Sequence, residues 1–170
     1  GIYLITARNI KKGRINYNLS EEYVPVELYN DIMSRGLPKI GDVLITTEAP
    51  LGEVASIDNE NIALAQRIIK YRGLSGVINN FYLKYVLLGP YFQDLLDKES
   101  TGSTVKGIKG SRLHKLNILI PSLEEQDNIA KVLSTIDEKL DVLQTKKETY
   151  QELKKGLMQQ LLTGKVRVVF

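Results

Sequence analysis

The sequence predicts an α/β fold, a mixed sheet with flanking helices, followed by one long α-helix that forms a coiled coil. Over residues 1–121, short runs rich in Ile and Val are bounded by turn residues and alternate with helical patterns. The texture changes at Pro121, after which there is no Pro and no Gly until Gly156. A heptad spacing of apolar residues follows. We therefore expect a globular domain over 1–121, a helix over 122–163 and a C-terminal tail over 164–170.

Five strands and two helices are predicted within residues 1–121. The strands are Ile2–Thr6, Asp42–Thr46, Glu53–Ile57, Ala65–Lys70 and Leu116–Ile120. One helix is expected at about Ser20–Asp31, with Ser20 as its N-cap. The other is expected over Asn80–Asp97, where aromatic and aliphatic residues recur at helical spacing.

The long helix is predicted to begin at a capping box. Ser122 precedes Glu125 by three residues, so that the hydroxyl and the carboxylate can satisfy each other's backbone amides. Some 38 residues would make a rod of about 57 Å. Ten positions separated by steps of four and three form the expected pairing stripe: Ile129, Leu133, Ile136, Leu140, Leu143, Lys147, Tyr150, Lys154, Leu157 and Leu161.

Eight of these ten residues are apolar or aromatic, as in a coiled coil. Lys147 and Lys154 occupy a-type positions, where a polar residue lowers stability but fixes register and partner number. The alternative is an ordinary amphipathic helix packed on its own domain. The stripe extends beyond a typical helix of about 10–14 residues, which favours pairing with another helix.

Composition points to a soluble cytoplasmic protein. Hydrophobic residues make up 43% and charged residues 25% of the chain, as in globular proteins. No apolar run approaches the roughly 20 residues of a bilayer helix, and no signal peptide is visible. The chain begins with Gly1 rather than Met, so we expect a fragment or a trimmed chain.

Charge is distributed unevenly. The segments 1–20, 63–86 and 100–120 each carry four bases and no acid, whereas 124–152 carries eight acids and four bases. Acid-free basic segments beside an acidic one are typical of a protein with one part facing a polyanion such as nucleic acid. The alternative is a chance clustering of charges on a solvated surface.

The motif search predicts no catalytic site, cofactor or metal. There is no phosphate-binding glycine loop, no dinucleotide-binding glycine motif and no nucleophile elbow. The chain has no cysteine, and its single histidine is His114. We expect His114 to contact phosphate or solvent rather than to act as a general base.

Two segments carry the chemistry of nucleic-acid contacts. Arginine and asparagine make bidentate contacts with guanine and adenine edges, and hydroxyls, backbone amides and lysines contact phosphates. The alternatives are a basic hairpin turn for the first segment and a flexible surface loop for the second. The candidates are Arg8, Asn9, Lys11, Lys12 and Arg14 in the first, and Ser103, Thr104, Lys106, Lys109, Ser111 and Arg112 in the second. Thr46 and Thr47, at a strand end, are further candidates.

The sequence resembles the specificity subunit of type I restriction–modification systems over nearly its whole length. The order and spacing of several short pieces carry the resemblance: Arg8-Asn9-Ile10, Gly41-Asp42-Val43-Leu44-Ile45-Thr46, Ala65-Gln66-Arg67, Gly102-Ser103-Thr104-Val105-Lys106-Gly107-Ile108, Pro121-Ser122-Leu123-Glu124-Glu125-Gln126 and Gln159-Gln160-Leu161-Leu162-Thr163-Gly164. Gln66, within the third piece, joins the candidate DNA contacts.

The resemblance implies a DNA target-recognition domain followed by a spacer helix. The family's usual subunit carries two such units, reads the two halves of a split double-stranded DNA site and is not itself an enzyme. Its partners are the methyltransferase subunits and, through or beside them, the restriction subunits. This chain holds one unit, so we expect a C-terminal half or a half-length subunit that pairs with itself or with a second half through its helix. The alternative is a coiled-coil assembly protein that does not bind DNA.

Overall fold

Short strands and helices alternate through the first part of the chain in the computed structural model, which describes residues 1–168. The strands are β1 Ile2–Ile5, β2 Ile10–Lys11, β3 Arg14–Ile15, β4 Tyr23–Val24, β5 Val43–Thr47, β6 Leu51–Ser56, β7 Ile62–Leu64 and β8 Ile68–Tyr71. The helices are α1 Tyr29–Ile32, α2 Asn80–Leu88, α3 Pro90–Glu99, α4 Gly110–Leu113 and α5 Leu123–Leu162. Chain contacts divide the molecule into one unit over Gly1–Ala130 and a second that starts at Lys131.

The strands of the first unit form mixed and antiparallel sheets. In the first sheet, β1 lies between β4, which is antiparallel to it, and β7, which is parallel. In the second, β5 lies between β6 and β8, both antiparallel. The short hairpin β2–β3 adds to the edge of β6 through a bridge between Gly13 and Ala55. Strands and helices together confirm the α/β class.

Strand β5 joins the two largest clusters of the core. Successive side chains of a strand point to opposite faces. Val43 and Ile45 therefore pack with α2 and α3 through residues such as Leu87 and Leu96. Leu44, between them, packs with Ile5 and other residues of the first sheet and the hairpin. One strand, buried at all its residues except Thr47, thus supports both layers.

The predicted helix over Ser20–Asp31 is wrong. Tyr23 and Val24 instead form β4 on β1, a short 3₁₀ turn covers Val26–Leu28, and only Tyr29–Ile32 is α-helical. Pro25 explains the difference, because the residue before a proline is driven toward extended backbone. The predicted helix over Asn80–Asp97 is two helices, α2 and α3. Gly89 ends the first and Pro90 begins the second, at a position where its missing amide costs nothing.

Two predicted strands also need correction. The run Ala65–Lys70 is not one strand, because β7 ends before it at Leu64, a turn follows, and β8 begins only at Ile68. Leu116–Ile120 is not a strand. Its Leu116 and Ile118 pack against the core, and the carbonyl of Leu119 accepts a hydrogen bond from Tyr82. Strands β1, β5 and β6 confirm the remaining predictions to within two residues.

The long helix is present as α5, Leu123–Leu162. The Ser122 hydroxyl accepts a hydrogen bond from the Glu125 amide at 3.3 Å, which is one of the two bonds of the predicted capping box. Fully buried Gln126 and nearby Ala130 belong to the first unit. The stripe residues beyond Ile129 lie largely exposed in the single chain. None of the helices in the described part of the chain is long and apolar enough to cross a bilayer.

Candidate nucleic-acid interface

Two turns meet at the carboxyl ends of the parallel strands β1 and β7. The turn Ala7–Asn9 follows β1, and residues 65–67 follow β7. The amide of Ala65 donates to the carbonyl of Ile5 at 2.9 Å, which holds the two turns side by side. Carboxyl ends of adjacent parallel strands share one edge of a sheet and commonly hold ligand sites. Arg8 and Gln66 are thereby brought to the same edge.

A groove of about 600 Å³ opens at this edge, called here the β1–β7 groove. Its polar lining comes from Thr6, Arg8, Glu22, Gln66 and Arg67, and its apolar lining includes Leu4, Val24, Ile32 and Leu64. Arg8 and Gln66 are exposed, and within residues 1–168 neither side chain has a hydrogen-bond or ion-pair partner. Both side chains are therefore available to a ligand.

The loop between β5 and β6 forms one wall of the groove through Ala49. Next to it, Glu48 pairs with Arg67, with 2.5 Å between Oε1 and Nε. Glu48 also bridges in the backbone to Gly107, which in turn pairs with Thr101. The loop between Thr101 and Gly107 is therefore anchored next to the β5–β6 loop. Glu48 and Arg67 were not among the predicted site residues. Arg67 had a sequence signal in the basic segment 63–86 and in the piece Ala65-Gln66-Arg67, and Glu48 had only its position next to Thr47.

Asn9 does not face the groove, which corrects its predicted role in reading bases. Its side chain is 0% exposed. It accepts from the amide and hydroxyl of Thr6, both at 2.9 Å, and donates to the carbonyls of Asn16 and Ser20 at 3.1 and 2.9 Å. Its amide nitrogen also lies 3.4 Å from the Tyr3 hydroxyl. Asn9 thus closes the turn that presents Arg8.

Thr46 is also a structural residue rather than a ligand contact. It is 0% exposed, and its hydroxyl accepts from the Glu53 amide at 2.9 Å, where β5 and β6 shift register. Thr47 is half-buried, and its hydroxyl donates to the carbonyl of Arg67 at 3.2 Å. Both threonines shape the loop ends beside the groove, and neither side chain is free for a ligand.

The basic hairpin lies outside the groove lining. Lys11 pairs with Glu53 at 3.0 Å, and the backbone amide of Lys12 donates to the same carboxylate at 3.1 Å. Arg14 also has a partner. This segment is a hairpin turn at Lys12-Gly13, which was the alternative reading of its sequence. Glu53 partly neutralises its charge.

The segment 103–112 combines paired and free groups. Lys106 forms an ion pair with Asp97, and Arg112 lies 3.5 Å from a carboxylate oxygen of Glu99. In the part of the chain that the structure describes, the side chains of Ser103, Thr104, Lys109 and Ser111 have no such partner and are exposed. Lys109 is therefore the base in this segment that remains uncompensated.

Two bases of the acid-free segment 63–86 are used inside the fold. Asp42, 1% exposed, accepts from Nε and Nη2 of Arg72 at 2.6 and 2.7 Å and lies 3.3 Å from Lys70. Burial opposes its ionisation, but the hydrogen bonds from Arg72 and the Lys39 amide and the nearby positive charges outweigh burial and hold the pKa of Asp42 below its usual value. These bases stabilise the fold and do not add to the interface.

His114 contacts a tyrosine. Its Nδ1 lies 2.8 Å from the Tyr71 hydroxyl, and the two rings pack edge to face. Burial raises the pKa of Tyr71 to about 12, so the phenol stays protonated at neutral pH. Among residues 1–168 no cluster of three or more His, Cys, Asp or Glu side chains is placed to hold a metal ion.

Comparison with known proteins shows the family to which the chain belongs. A model of the family described as "Type I restriction modification DNA specificity domain" matches residues 8–154. Two specificity subunits of Methanocaldococcus jannaschii are similar in sequence. That of type I restriction enzyme MjaVIII is 30% identical over 99% of this chain, and that of MjaIX is 36% identical over 71%. The chain spans only 40% and 27% of their lengths.

Solved structures show the same fold. The S subunit of a type I restriction–modification system from M. genitalium superposes with a TM-score of 0.64 at 17% identity, over 94% of this chain and 37% of that one. The HsdS subunit from Thermoanaerobacter tengcongensis gives a TM-score of 0.63, also at 17% identity, over 94% of this chain and 41% of that one. The family match covers most of the first unit and continues into the long helix. The chain therefore belongs to the family of type I restriction–modification DNA specificity domains.

Proposed function

We propose that this chain reads one half of a split duplex DNA site for a type I restriction–modification complex. The single observation that carries the proposal is that Arg8 and Gln66, both unpaired, converge on one groove in a chain of this family. Arginine pairs bidentately with guanine and glutamine with adenine in the major groove. The two side chains thus supply base-reading chemistry at one place.

The groups beside the groove would hold the DNA backbone. Exposed hydroxyls and unpaired bases are groups that contact phosphates. This region offers the exposed hydroxyls of Ser103, Thr104 and Ser111 and the unpaired base Lys109. Phosphate contacts set the position of the duplex, and base contacts choose its sequence. Lys12, on the hairpin, is a further phosphate candidate. Arg14 already has a partner in the fold, and Lys11, Lys106 and Arg112 would first have to leave their acidic partners.

The long helix would bring a second recognition unit to the other half-site. Its stripe from Leu133 to Leu161 is largely exposed in the single chain, and an apolar surface of this length is covered when it pairs with another helix. We further propose that the chain docks methyltransferase subunits, and through or beside them restriction subunits, and takes no part in the chemistry.

The decisive test is sequence selectivity in the presence of the methyltransferase subunits. A methylation map of DNA modified by the complex should give one split motif, and changing bases in either half of that motif should weaken binding. Affinity should fall steeply with salt, because lysines and arginines displace counterions from DNA. Equal affinity for duplexes with and without the motif would contradict the proposal.

A second candidate function is assembly without DNA binding. The exposed stripe of α5 favours it, since a pairing helix alone can recruit a partner. This candidate predicts intact partner binding with no duplex binding even at low salt. Fluorescence anisotropy of a labelled duplex, measured beside a pull-down of the methyltransferase subunit, separates the two.

A further inference from the structure

Within residues 1–168, the β1–β7 groove has one carboxylate in its lining, that of exposed Glu22. Glu22 directly precedes β4, and its carbonyl accepts from the Leu4 amide at 2.8 Å. Because β4 is antiparallel to β1, the amino end of β4 lies at the carboxyl end of β1. Glu22 therefore shares the sheet edge that holds Arg8 and Gln66. A carboxylate repels phosphates, so its presence here needs another ligand group.

The strand order brings Glu22 and Arg8 to neighbouring places. Strand β1, which leads to Arg8, lies next to β4 in the sheet, and adjacent strands are about 4.8 Å apart. The two bases of a pair present major-groove groups that are just as close. In a G·C pair, for example, the guanine O6 accepts from the cytosine N4 at about 2.9 Å. Two side chains one strand apart can therefore reach both bases of one pair.

The buried side chain of Asn9 ties the segment of Arg8 to the segment of Glu22. Its nitrogen donates to the Ser20 carbonyl at 2.9 Å, and the Tyr3 hydroxyl donates to the same carbonyl. Arg8 lies directly before Asn9, and Glu22 lies two residues after Ser20. Both exposed side chains thus start from backbone that one internal network holds in place. This lowers the cost of ordering them on a ligand.

The Glu22 carboxylate is held at one oxygen and open at the other. The Ser20 hydroxyl donates to Oε1 at 2.8 Å. In the part of the chain that the structure describes, Oε2 has no hydrogen-bond or ion-pair partner. Leu4, Val24 and Leu64 line the same groove, and hydrogen bonds in apolar surroundings are stronger than in water. The open oxygen is therefore suited to a donor on the ligand.

Cytosine is the base whose major-groove edge suits a carboxylate. It presents its N4 amino group as a donor, whereas guanine and thymine present acceptors, and adenine places its N7 acceptor next to its amino donor. The O6 and N7 atoms of guanine in turn accept from arginine. A carboxylate beside an arginine therefore matches the two bases of a G·C pair.

We propose that Glu22 reads the cytosine, and Arg8 the guanine, of one base pair in the half-site that this chain recognises. The inference rests on the proposed function and adds to it a further specificity-determining residue and the identity of one base pair. The negative charge weakens the attraction to DNA in general. It raises selectivity, because the other bases set an acceptor against the carboxylate.

Glu22→Ala, measured in the complex with the methyltransferase subunits, tests the proposal on the motif found by methylation mapping. The variant should bind the best site about tenfold or more weakly and lose its preference for C·G at one position. Other duplexes should be bound as well as before or better, because a negative charge has been removed. Glu21→Ala, a neighbouring exposed acid outside the groove lining, is the matched control and should leave the ranking of sites unchanged.

The contact is also tested from the DNA side with N4-methylcytosine at the position that Glu22→Ala identifies. The methyl group replaces the amino hydrogen that faces the major groove, so it should weaken binding by the natural protein about as much as the substitution does. It should cause little further loss with Glu22→Ala, because the same contact is already missing. N4-methylcytosine outside the motif is the control and should not change binding.

Each other outcome overturns the proposal in a recognisable way. A motif without a C·G pair in its half-site, or a best site that Glu22→Ala binds as well as the natural protein does, overturns it and leaves DNA reading by Arg8 and Gln66 intact. Equally tighter binding of all duplexes means that Glu22 only repels phosphates. Uniformly weaker binding with a lower free energy of unfolding in urea means a structural role. A natural complex with no preferred motif contradicts the proposed function itself, and this inference with it.

Discussion

Asn9 connects three segments of the first unit through one side chain. Its carbonyl oxygen accepts from Thr6, and its nitrogen donates to the backbone of Asn16 and Ser20. The turn between β1 and β2 is therefore held in one shape, with neighbouring Arg8 left outside. A buried amide with all its hydrogen bonds made is costly to remove, because its former partners remain buried without a replacement.

Asn9→Ala should lower the free energy of unfolding by about 3 kcal/mol. Urea denaturation followed by circular dichroism measures this loss. Asn18→Ala, an exposed asparagine in the next turn, is the control and should change stability by less than about 0.5 kcal/mol. If Asn9→Ala were fully stable and had an altered base preference, the structural role would be contradicted and Asn9 would instead contact bases.

Arg8→Ala and Gln66→Ala should each weaken the preference of the protein for one base pair of its DNA site. Losing a bidentate base contact costs about 1–3 kcal/mol on the best site and little on other sites, so discrimination at one base pair relaxes. Competition binding against a set of single-base variants of the motif measures this. Arg35→Ala, an exposed arginine outside the groove lining, should leave the ranking of sites unchanged. A uniform loss on all duplexes would make Arg8 a phosphate contact instead.

The residue types indicated the chemistry of the site. They did not indicate which of the predicted DNA-contact side chains are exposed to solvent. Arg8 and Asn9 are neighbours, and both suit base contacts, yet one lines a groove and the other is fully buried. The difference depends on Tyr3, Asn16 and Ser20, whose meeting around Asn9 is set by the fold rather than by any local pattern. For the same reason the sequence did not reveal the pairs Lys106–Asp97 and Arg67–Glu48.

At the scale of elements, Asp42 ties the start of β5 to the end of β8. Its carboxylate accepts from Arg72 and from the Lys39 amide and lies close to Lys70. Because its pKa is lower in the folded chain than in the unfolded one, ionised Asp42 stabilises the fold above the ordinary carboxyl pKa of about 4. This contribution is lost as the pH falls through the lower, folded value.

Asp42→Asn should lower the free energy of unfolding at pH 7 by about 3 kcal/mol, because Arg72 and Lys70 lose their buried partner. The variant should also lose less stability than the natural protein when the pH is lowered from about 5 to 3. Urea unfolding at a series of pH values measures both effects. Asp94→Asn, on an exposed position of α3, is the matched control and should follow the natural curve. If the free energy of unfolding of Asp42→Asn depended on pH in the same way as that of the natural protein, ionised Asp42 would not stabilise the fold.

Elements with strong local signals were predictable from the sequence. The start of α5 followed from Ser122 and Glu125, and β5 followed from a continuous apolar run. The Ser20–Asp31 helix failed because Tyr23 and Val24 pair with β1, a contact about twenty residues away along the chain. The break between α2 and α3 had a local signal in the pair Gly89-Pro90. The prediction missed it because apolar residues continue at helical spacing on both sides of the pair.

At the scale of the whole molecule, pairing through α5 would turn one reading unit into two. In the proposed function a single unit would contact one half-site, while a pair would bind both halves at once and gain from the high effective concentration of the second. Family membership and the α/β class were predictable because motif order and strand patterns run the length of the chain. The geometry of the groove was not predictable, because it depends on turns from three separate strands.

Leu157→Asp should convert the chain to a monomer by placing a charge in a stripe layer. Light scattering of the free protein measures the molar mass. Affinity for a duplex with both half-sites should fall by about 10² to 10⁴, while affinity for a single half-site stays the same. Val142→Asp, off the stripe, should remain a dimer with full affinity. A monomeric natural protein with full affinity for the split site would contradict helix pairing.

The β1–β7 groove takes much of its wall from turns that follow β1, β5 and β7, and each turn starts from a strand held by its own ladder and core contacts. Glu22, Val24 and Ile32 complete the lining. The exposed side chains of these turns, such as Arg8 and Gln66, can be exchanged while the bonds between the turns stay in place. New base preferences can therefore arise one exposed side chain at a time with little folding cost, provided that buried Asn9 is kept. This division between exposed side chains and a bonded backbone makes the groove suitable for grafting, since new side chains can be placed on a frame that stays unchanged.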